Sequence, residues 1–560
     1  MAAGTGNGLA GFDPRRFRDM VDPATARAFR DAGWWGDLTL ADLVEEHAGS
    51  CPDSDAFITV AERMTWAGYR DAANRLAATL VDSGISPGEK VAVMVPDGPS
   101  VHVALLANEK AGLVTVGIGA RAGEKEIRHL LSKTGAVALV TQASHRGLES
   151  SALVRALRRD GIELSHHVVI PSFEADPAGP VRIDGRDVEP GPVDSAAFAG
   201  RRLGPDDLFL INSTSGTTGL PKCVMHSQNS KLYMSRQARD VAELGADEVV
   251  LGLAPMPFGF GVFTTHFVAA TLGAPAVVVD RFDADTAVEL IERERATVLV
   301  CVSTQFKMML NSPEIARRDL SSLRVMFTGG EMIPYEAARE FEQLTGAYVL
   351  NFYGANETGV VTGTRVQDPQ HRRLTTAGRL VPGTEMRLYD DGVDVTDTGR
   401  GQPGSRGPAL CLGYYDDPEA NAMLVTGDGF VLHADIVTVD EEGYLSVVGR
   451  KSEIIIRGGK NISASVVEDA VSSHPAVALA AAVPMPDPVF GERVCVFAQL
   501  RPGQALELPE LATFLDSEGV SKEYFPERLV ILPELPRSSG GKVAKGQLTD
   551  QARRLATSPA

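Results

Sequence analysis

Short apolar runs alternate with helix-like stretches through most of the chain, and that alternation limits the fold more than any other feature. Val91–Val95, Val114–Ile118, Val137–Val140 and Val168–Ile170 read as strands, with a helix over Glu124–Thr134. The pattern resumes at Leu208–Ile211, Val249–Leu253, Ala276–Val279, Val298–Val302 and Val325–Phe327, with a helix over Ala284–Arg295. Strands separated by helices build parallel sheets with helices on both faces. Helices are also expected over Asp13–Asp37, Leu38–His47 and Trp66–Ser83, and a loop over Pro177–Pro192. From Gly378 to Tyr444 glycine and proline become frequent and strands shorten, as in a small barrel-like unit. After Arg450 come a strand (Ile454–Ile456), a helix (Ala464–Ser473), strands at Ala478–Val483 and Val494–Leu500, and a helix (Pro509–Glu518). The expected class is α/β: a large N-terminal domain over residues 1–450 and a small α+β C-terminal domain over 451–560.

Bulk properties narrow the function. A net charge of −19 argues against nucleic acid or an anionic membrane surface as the main partner. The five cysteines are scattered, with no Cys-x-x-Cys pair, which fits a reducing cytoplasm and no zinc site. Residues 1–20 lack the apolar core of a signal peptide. Gly259–Val279 carries no formal charge, but its glycines, Thr264, Thr265, His266 and Pro275 fit a buried helix and strand better than a membrane span.

Five strings carry chemistry. Ser213-Thr214-Ser215-Gly216-Thr217-Thr218-Gly219-Leu220-Pro221-Lys222 follows a strand. Its glycines let backbone N–H groups converge on phosphate, its hydroxyls add donors, and Lys222 adds a charge. The spacing is not that of a Walker loop. Alone, Gly216–Gly219 reads equally well as a surface turn. Asn351-Phe352-Tyr353-Gly354-Ala355-Asn356-Glu357 follows the strand-like Tyr348–Leu350, at the strand end where open α/β sheets bind ligands. An aromatic there can stack on a base, and Glu357 can hold Mg²⁺ against phosphates. The remaining strings are Ala434-Asp435 through Arg450, then Arg457-Gly458-Gly459-Lys460, then Ser538-Ser539-Gly540-Gly541-Lys542.

In this order the strings resemble the adenylate-forming ligases: acyl-CoA synthetases, peptide-synthetase adenylation domains and beetle luciferases. The resemblance runs from Met64-Thr65-Trp66 to near Leu548 and includes Gly413-Tyr414-Tyr415. It implies two steps, acyl-AMP formation from ATP and then thioester formation, commonly on coenzyme A. By position, Thr214, Ser215, Gly216, Thr217, Thr218, Gly219 and Lys222 would hold the β- and γ-phosphates. Gly329, Gly330, Glu331, Asn351, Phe352, Tyr353 and Gly354 would frame the adenine, with Asn356 beside them. Glu357 would bind Mg²⁺, Asp435 and Arg450 the ribose, and Lys542 would serve the first reaction. Gly458 and Gly459 would line the coenzyme A tunnel after a hinge motion at Ser452. Asn356 stands where the family usually has threonine, and His433-Ala434-Asp435 replaces Thr-Gly-Asp.

The acyl pocket implied by the resemblance includes Phe258, Gly259, Phe260, Phe263, Val302, Gly329, Ala355, Gly359 and Val360. No acid lies in Phe258–Phe263 to pair with an ammonium, so amino acids are disfavoured and a hydrophobic carboxylic acid is expected. The expected reactants are that acid, ATP with Mg²⁺, and coenzyme A. A carrier-protein phosphopantetheine arm is the alternative acceptor, a chain performing only one half-reaction is a second alternative, and a homodimer is compatible with the sequence. A non-catalytic nucleotide sensor is disfavoured, because Lys222, Glu357, Asp435, Arg450 and Lys542 are all retained.

Overall fold

The computed structural model describes residues 22–173, 180–188, 198, 200–214, 221–330, 333–450, 453–457, 460–538 and 542–557, without the side chains of Arg450, Lys460, Asn461 and Thr557. The described residues form two large sheets, a smaller antiparallel sheet, a separate C-terminal sheet and a two-stranded hairpin of Ser144–His145 and Leu148–Glu149.

In the first large sheet, the parallel strands Val325–Gly329, Val298–Val300, Val250–Gly252, Ala276–Val278 and Asp55–Ile58 lie side by side. Tyr348–Ala355 joins parallel to Val325–Gly329, and its far side carries the antiparallel Gly359–Gly363. In the second, Lys90–Met94 lies between Val114–Gly117 and Ala138–Thr141. Leu208–Ser213 pairs parallel with Val114–Gly117, and Cys223–Ser227 closes that edge antiparallel. Side chains alternate in period two. Val91 and Val93 enter one apolar core, and Ala92 and Met94 another. Both faces are covered, so these strands read as unbroken apolar runs.

Helix Pro99–Lys110 is buried along its whole length, Glu109 and Lys110 included. It belongs to the core shared by both large sheets, together with Val298, Val300 and Leu350. Gln228–Ala242 is buried almost as completely. These helices separate the two sheets, and a single apolar core runs through the layer.

The third sheet, built from Glu385–Asp390, Arg400–Arg406, Asp435–Val439 and Leu445–Arg450, is antiparallel and matches the expected small unit. The C-terminal domain forms around the long hairpin Val477–Asp487 and Gly491–Leu500, flanked by Ile454–Arg457 and the parallel strand Arg528–Ile531. It has cores of its own.

Several expectations change. The first described helix is Pro23–Asp31, capped by Asp22, so Trp34 and Trp35 lie beyond its end; residues 13–21 are outside the described residues. Within the expected loop over 177–192, Val181–Ile183 and Arg186–Val188 pair as a hairpin. The Asn351–Ala355 string lies inside the strand Tyr348–Ala355 rather than after its end. The uncharged stretch 259–279 is short helical segments and a strand, and no described helix is long and apolar enough to cross a membrane.

Candidate active site

The C-terminal ends of the two large sheets meet at one cleft. Leu208–Ser213 and Cys223–Ser227 form an antiparallel pair. Their connection is closed by Thr214 N–H donating to Lys222 O at 3.1 Å and Lys222 N–H donating to Thr214 Oγ1 at 3.3 Å. Residues 215–220, which carry the rest of the expected phosphate loop, lie outside the described residues. Lys222 Nζ sits 4.6 Å over the ring centroid of Tyr414. The Tyr414 hydroxyl donates to Glu357 Oε1 at 2.7 Å. Burial, reinforced by the Glu357 carboxylate, pushes the Tyr414 pKa well up, so the hydroxyl stays a donor. One ring therefore joins Lys222, expected to hold phosphate, to Glu357, expected to hold the metal.

The turn after Tyr348–Ala355 spans the seam between the sheets. Asn356 Nδ2 donates to Asn212 Oδ1 at 2.6 Å, and His226 Nε2 lies 2.9 Å from the same oxygen. Burial lowers the His226 pKa far below its ordinary value. The ring is then neutral, and an Nε2–H donor satisfies Asn212.

On the strand Tyr348–Ala355 itself, Tyr353 Oη donates to Asp435 Oδ2 at 3.0 Å. Asp435 is the register partner of Arg450 across adjacent strands. Tyr353 is backed by His433, stacked at 5.3 Å and 18°, whose Nε2 is 2.9 Å from Ser405 Oγ. Burial holds the His433 pKa at about 4, so this ring is neutral too. The nearby Asp428 instead accepts from Tyr389 Oη and Arg387, away from Tyr353.

Lys542, from the C-terminal domain, reaches the same cleft. Its Nζ donates to Gly330 O at 2.6 Å. Gly330 has φ +79, and a Cβ there would meet Lys542 Nζ at 3.0 Å. Glycine at this position both permits the turn and leaves room for the ammonium.

A run of aromatic rings, Phe263, Phe327 and Phe352 buried in the main core and Phe260 packed against it, lies behind Gly329. Phe260 meets Phe263 edge-on at 5.5 Å, Phe263 meets Phe352 at 5.8 Å, and Phe352 stacks on Phe327 at 5.2 Å. Gly329 packs on the Phe352 carbonyl, where a Cβ would come within 2.7 Å. Gly359 has φ +62 and packs against Ala409 and Met234. Gly259 abuts the Asn356 side chain, and Phe258, Val302 and Ala355 lie on the flanking segments.

The expected residues do not all face the cleft. Asn351 Nδ2 donates to the Thr376 carbonyl at 3.4 Å, and its backbone N–H donates to Thr364 Oγ1 at 2.8 Å, which ties these chain segments together. Glu331, Ser452, Gly458 and Gly459 lie outside the described residues. Nothing in the local sequence gives Tyr414, His433 or Asn212 these partners. Gly413-Tyr414-Tyr415 was visible as a string, but nothing in it pointed to Glu357.

Magnesium can be tested against these groups. Among the described residues no cluster of three His, Cys, Asp or Glu could hold a metal. A single carboxylate such as Glu357 suffices for a magnesium ion whose other ligands are phosphate oxygens and water, so the donor set fits a metal that arrives with a nucleotide.

Comparison with known proteins agrees with this geometry. A family model described as AMP-binding enzyme matches residues 44–415, and one described as AMP-binding enzyme C-terminal domain matches 466–542. The medium-chain fatty-acid–CoA ligase of Escherichia coli (strain K12) is 31% identical over 538 residues, covering 94% of this chain and 93% of that protein. A salicyl-AMP ligase/salicyl-S-ArCP synthetase of Mycobacterium tuberculosis is 31% identical over 571 residues, covering 99% and 96%. The fold matches an anthranilate CoA ligase in complex with anthranoyl-AMP, with a TM-score of 0.81 at 22% identity over 93% of this chain and 98% of that one. Both family models fall on the parts of the chain that meet at the cleft, and the chain belongs to the adenylate-forming ligases, in their acyl-CoA-synthetase-like branch.

Proposed function

We propose that the chain activates a hydrophobic carboxylic acid with ATP and then passes the acyl group to coenzyme A. The observation that carries this reading is the Lys542 ammonium on the Gly330 carbonyl, at the end of the strand beside the one that carries Tyr353, whose hydroxyl meets Asp435. In the first step a carboxylate oxygen bonds to the α-phosphorus while the bond to the bridging oxygen breaks, and pyrophosphate leaves. Two anions must approach, so catalysis is positioning plus charge stabilisation. Lys542 neutralises the α-phosphate and carboxylate, Lys222 with its loop takes the β- and γ-phosphates, and Asp435 with Arg450 holds the ribose. Glu357 would hold Mg²⁺, which would supply charge screening of the phosphates. In the second step the thiol sulfur bonds to the acyl carbon and AMP leaves. For this the small domain, taken as 451–560, turns about Ser452 so that Gly458 and Gly459 replace Lys542.

The apolar residues of Phe258–Phe263, with no carboxylate among them, support an apolar acid without an ammonium group. The salicyl-S-ArCP relative favours one second reading, transfer to a carrier-protein arm. Pyrophosphate release over a panel of acids, with coenzyme A or a phosphopantetheinylated carrier and the product identified by mass, separates the two. Lys542→Ala should lower acyl-AMP formation about 10²–10³-fold with nucleotide binding kept. Near-normal pyrophosphate exchange by that variant contradicts the assignment.

A further inference from the structure

The loop that presents Lys542 is tied to the start of the C-terminal domain by an ion cluster outside the cleft. Lys545 opens the helix Lys545–Thr557, three residues after Lys542. Its Nζ donates to Glu453 Oε2 at 2.6 Å and lies 2.9 Å from Glu468 Oε1. Glu453 directly follows residues 451 and 452, where the chain leaves the third sheet. Glu468 lies on helix Ala464–Ser472 and accepts from Ala482 N–H at 2.7 Å on the long hairpin. Burial pulls the Lys545 pKa down, but the Glu468 and Glu453 carboxylates more than reverse this, so the ammonium stays charged. All three side chains are half-buried, where a shared charge is screened less than on the surface.

The described ends of the segment that carries Lys542 are bonded to each other. Ser538 N–H donates to Lys542 O at 2.7 Å, and Ala544 N–H donates to Pro536 O at 2.7 Å. Arg537 and Val543 pair as an isolated bridge between those two bonds. The backbone from Lys542 to Lys545 is therefore short and held at both ends. Fixing Lys545 fixes the base from which Lys542 reaches Gly330.

We propose that Lys545, held by Glu453 and Glu468, is a positioning residue for Lys542. It passes the orientation of the small domain from the linker to the Lys542 ammonium. This rests on the proposed role of Lys542 in acyl-AMP formation. The consequence is specific to one half-reaction. A loosened tie misplaces Lys542, and misplacement of about 1 Å costs on the order of 10²-fold. Transfer from acyl-AMP to the thiol does not use Lys542 and is untouched.

The test uses the full chain and the acid that the panel selects. Pyrophosphate exchange gives kcat and the KM for ATP, and thiol transfer is started from chemically prepared acyl-AMP with coenzyme A. Lys545→Gln should lower exchange kcat about 10- to 100-fold, with the ATP KM and the transfer rate within about twofold. Lys545→Arg, which keeps charge and reach, should restore most of the loss. If Lys545→Gln folds poorly, as a shifted thermal transition would reveal, Glu453→Gln takes its place. It keeps the shape and leaves the Glu468 pair, and the same half-reaction alone should slow about 5- to 10-fold. Equal loss in exchange and ATP affinity, no rescue by arginine, or unchanged exchange in a folded variant overturns the proposal. Lys542→Ala, run beside them, isolates the premise: if it exchanges normally, the role of Lys542 falls and the positioning role falls with it.

Discussion

At the residue scale, the site is a set of pairs whose members lie far apart in the chain. Tyr353 meets Asp435 across 82 residues and Tyr414 meets Glu357 across 57. Sequence could single out Lys222, Glu357, Asp435 and Lys542, because their chemical types stand in characteristic strings. It could not foresee the pairs, which depend on how separate strands come together. Nor could it see that Asn351 turns away to the Thr376 carbonyl. The Tyr414 hydroxyl has a measurable part to play. Tyr414→Phe keeps the ring under Lys222 and removes the donor to Glu357. A hydrogen bond to a charged group contributes about 1.5–3 kcal/mol, so the KM for magnesium–ATP should rise about tenfold or more. Exchange kinetics at several magnesium concentrations check this, and an unchanged KM would remove Tyr414 from the site.

At the element scale, the hairpin of Tyr348–Ala355 and Gly359–Gly363 decides how tightly the cleft is built. A Cβ on Gly354 would stand 1.8 Å from the Gly359 carbonyl oxygen, which is backbone and cannot swing aside. Gly354→Ala should therefore destabilise the chain by about 1–3 kcal/mol or more, read as a lower urea midpoint. Boundaries that sequence misplaced have physical causes of the same kind. The helical spacing runs on through Trp34 and Trp35, but Gly33 at φ +73 ends the turn. Trp35 Nε1 then donates to Pro408 O at 2.9 Å, and the Trp34 ring packs on Gly383. Tertiary partners took both rings from the helix. The hairpin at 181–188 did have a local signal, Asp184-Gly185 with φ +49 and +82, a turn that suits a tight hairpin. Proline, glycine and aspartate around it masked the short strands.

At the scale of the whole molecule, the alternation of strands and helices was legible as an α/β class, whereas the division into two sheets was not. Which strand joins which sheet depends on crossovers that leave no mark in local periodicity. The burial that joins the sheets also sets the response to acid. His102, His226, His266 and His433 are buried, and burial lowers all four pKa values, to about 3 for His266 and about 4 for His433. Between pH 6.5 and those values the unfolded chain binds protons that the folded chain refuses, so stability falls with pH. The slope is about 1.4 kcal/mol per pH unit for each histidine. Asp97, raised by burial to about 7, and Glu109, also raised by burial, act in the opposite sense. Burial also lowers His145 and His167 and raises Glu468, so among the described residues six histidines stand against three acids. This predicts a lower urea midpoint at pH 5.5 than at pH 7, and a rise on acidification would contradict the balance. The contact of Asn356 with Asn212 joins the turn of one large sheet to a strand of the other. In the proposed reading a nucleotide bound across that contact would act as a rivet between two plates. Amide exchange in Leu208–Ser213 and in Tyr348–Ala355, separate in sequence and in sheet, should then slow together when ATP binds, as a single mechanical unit.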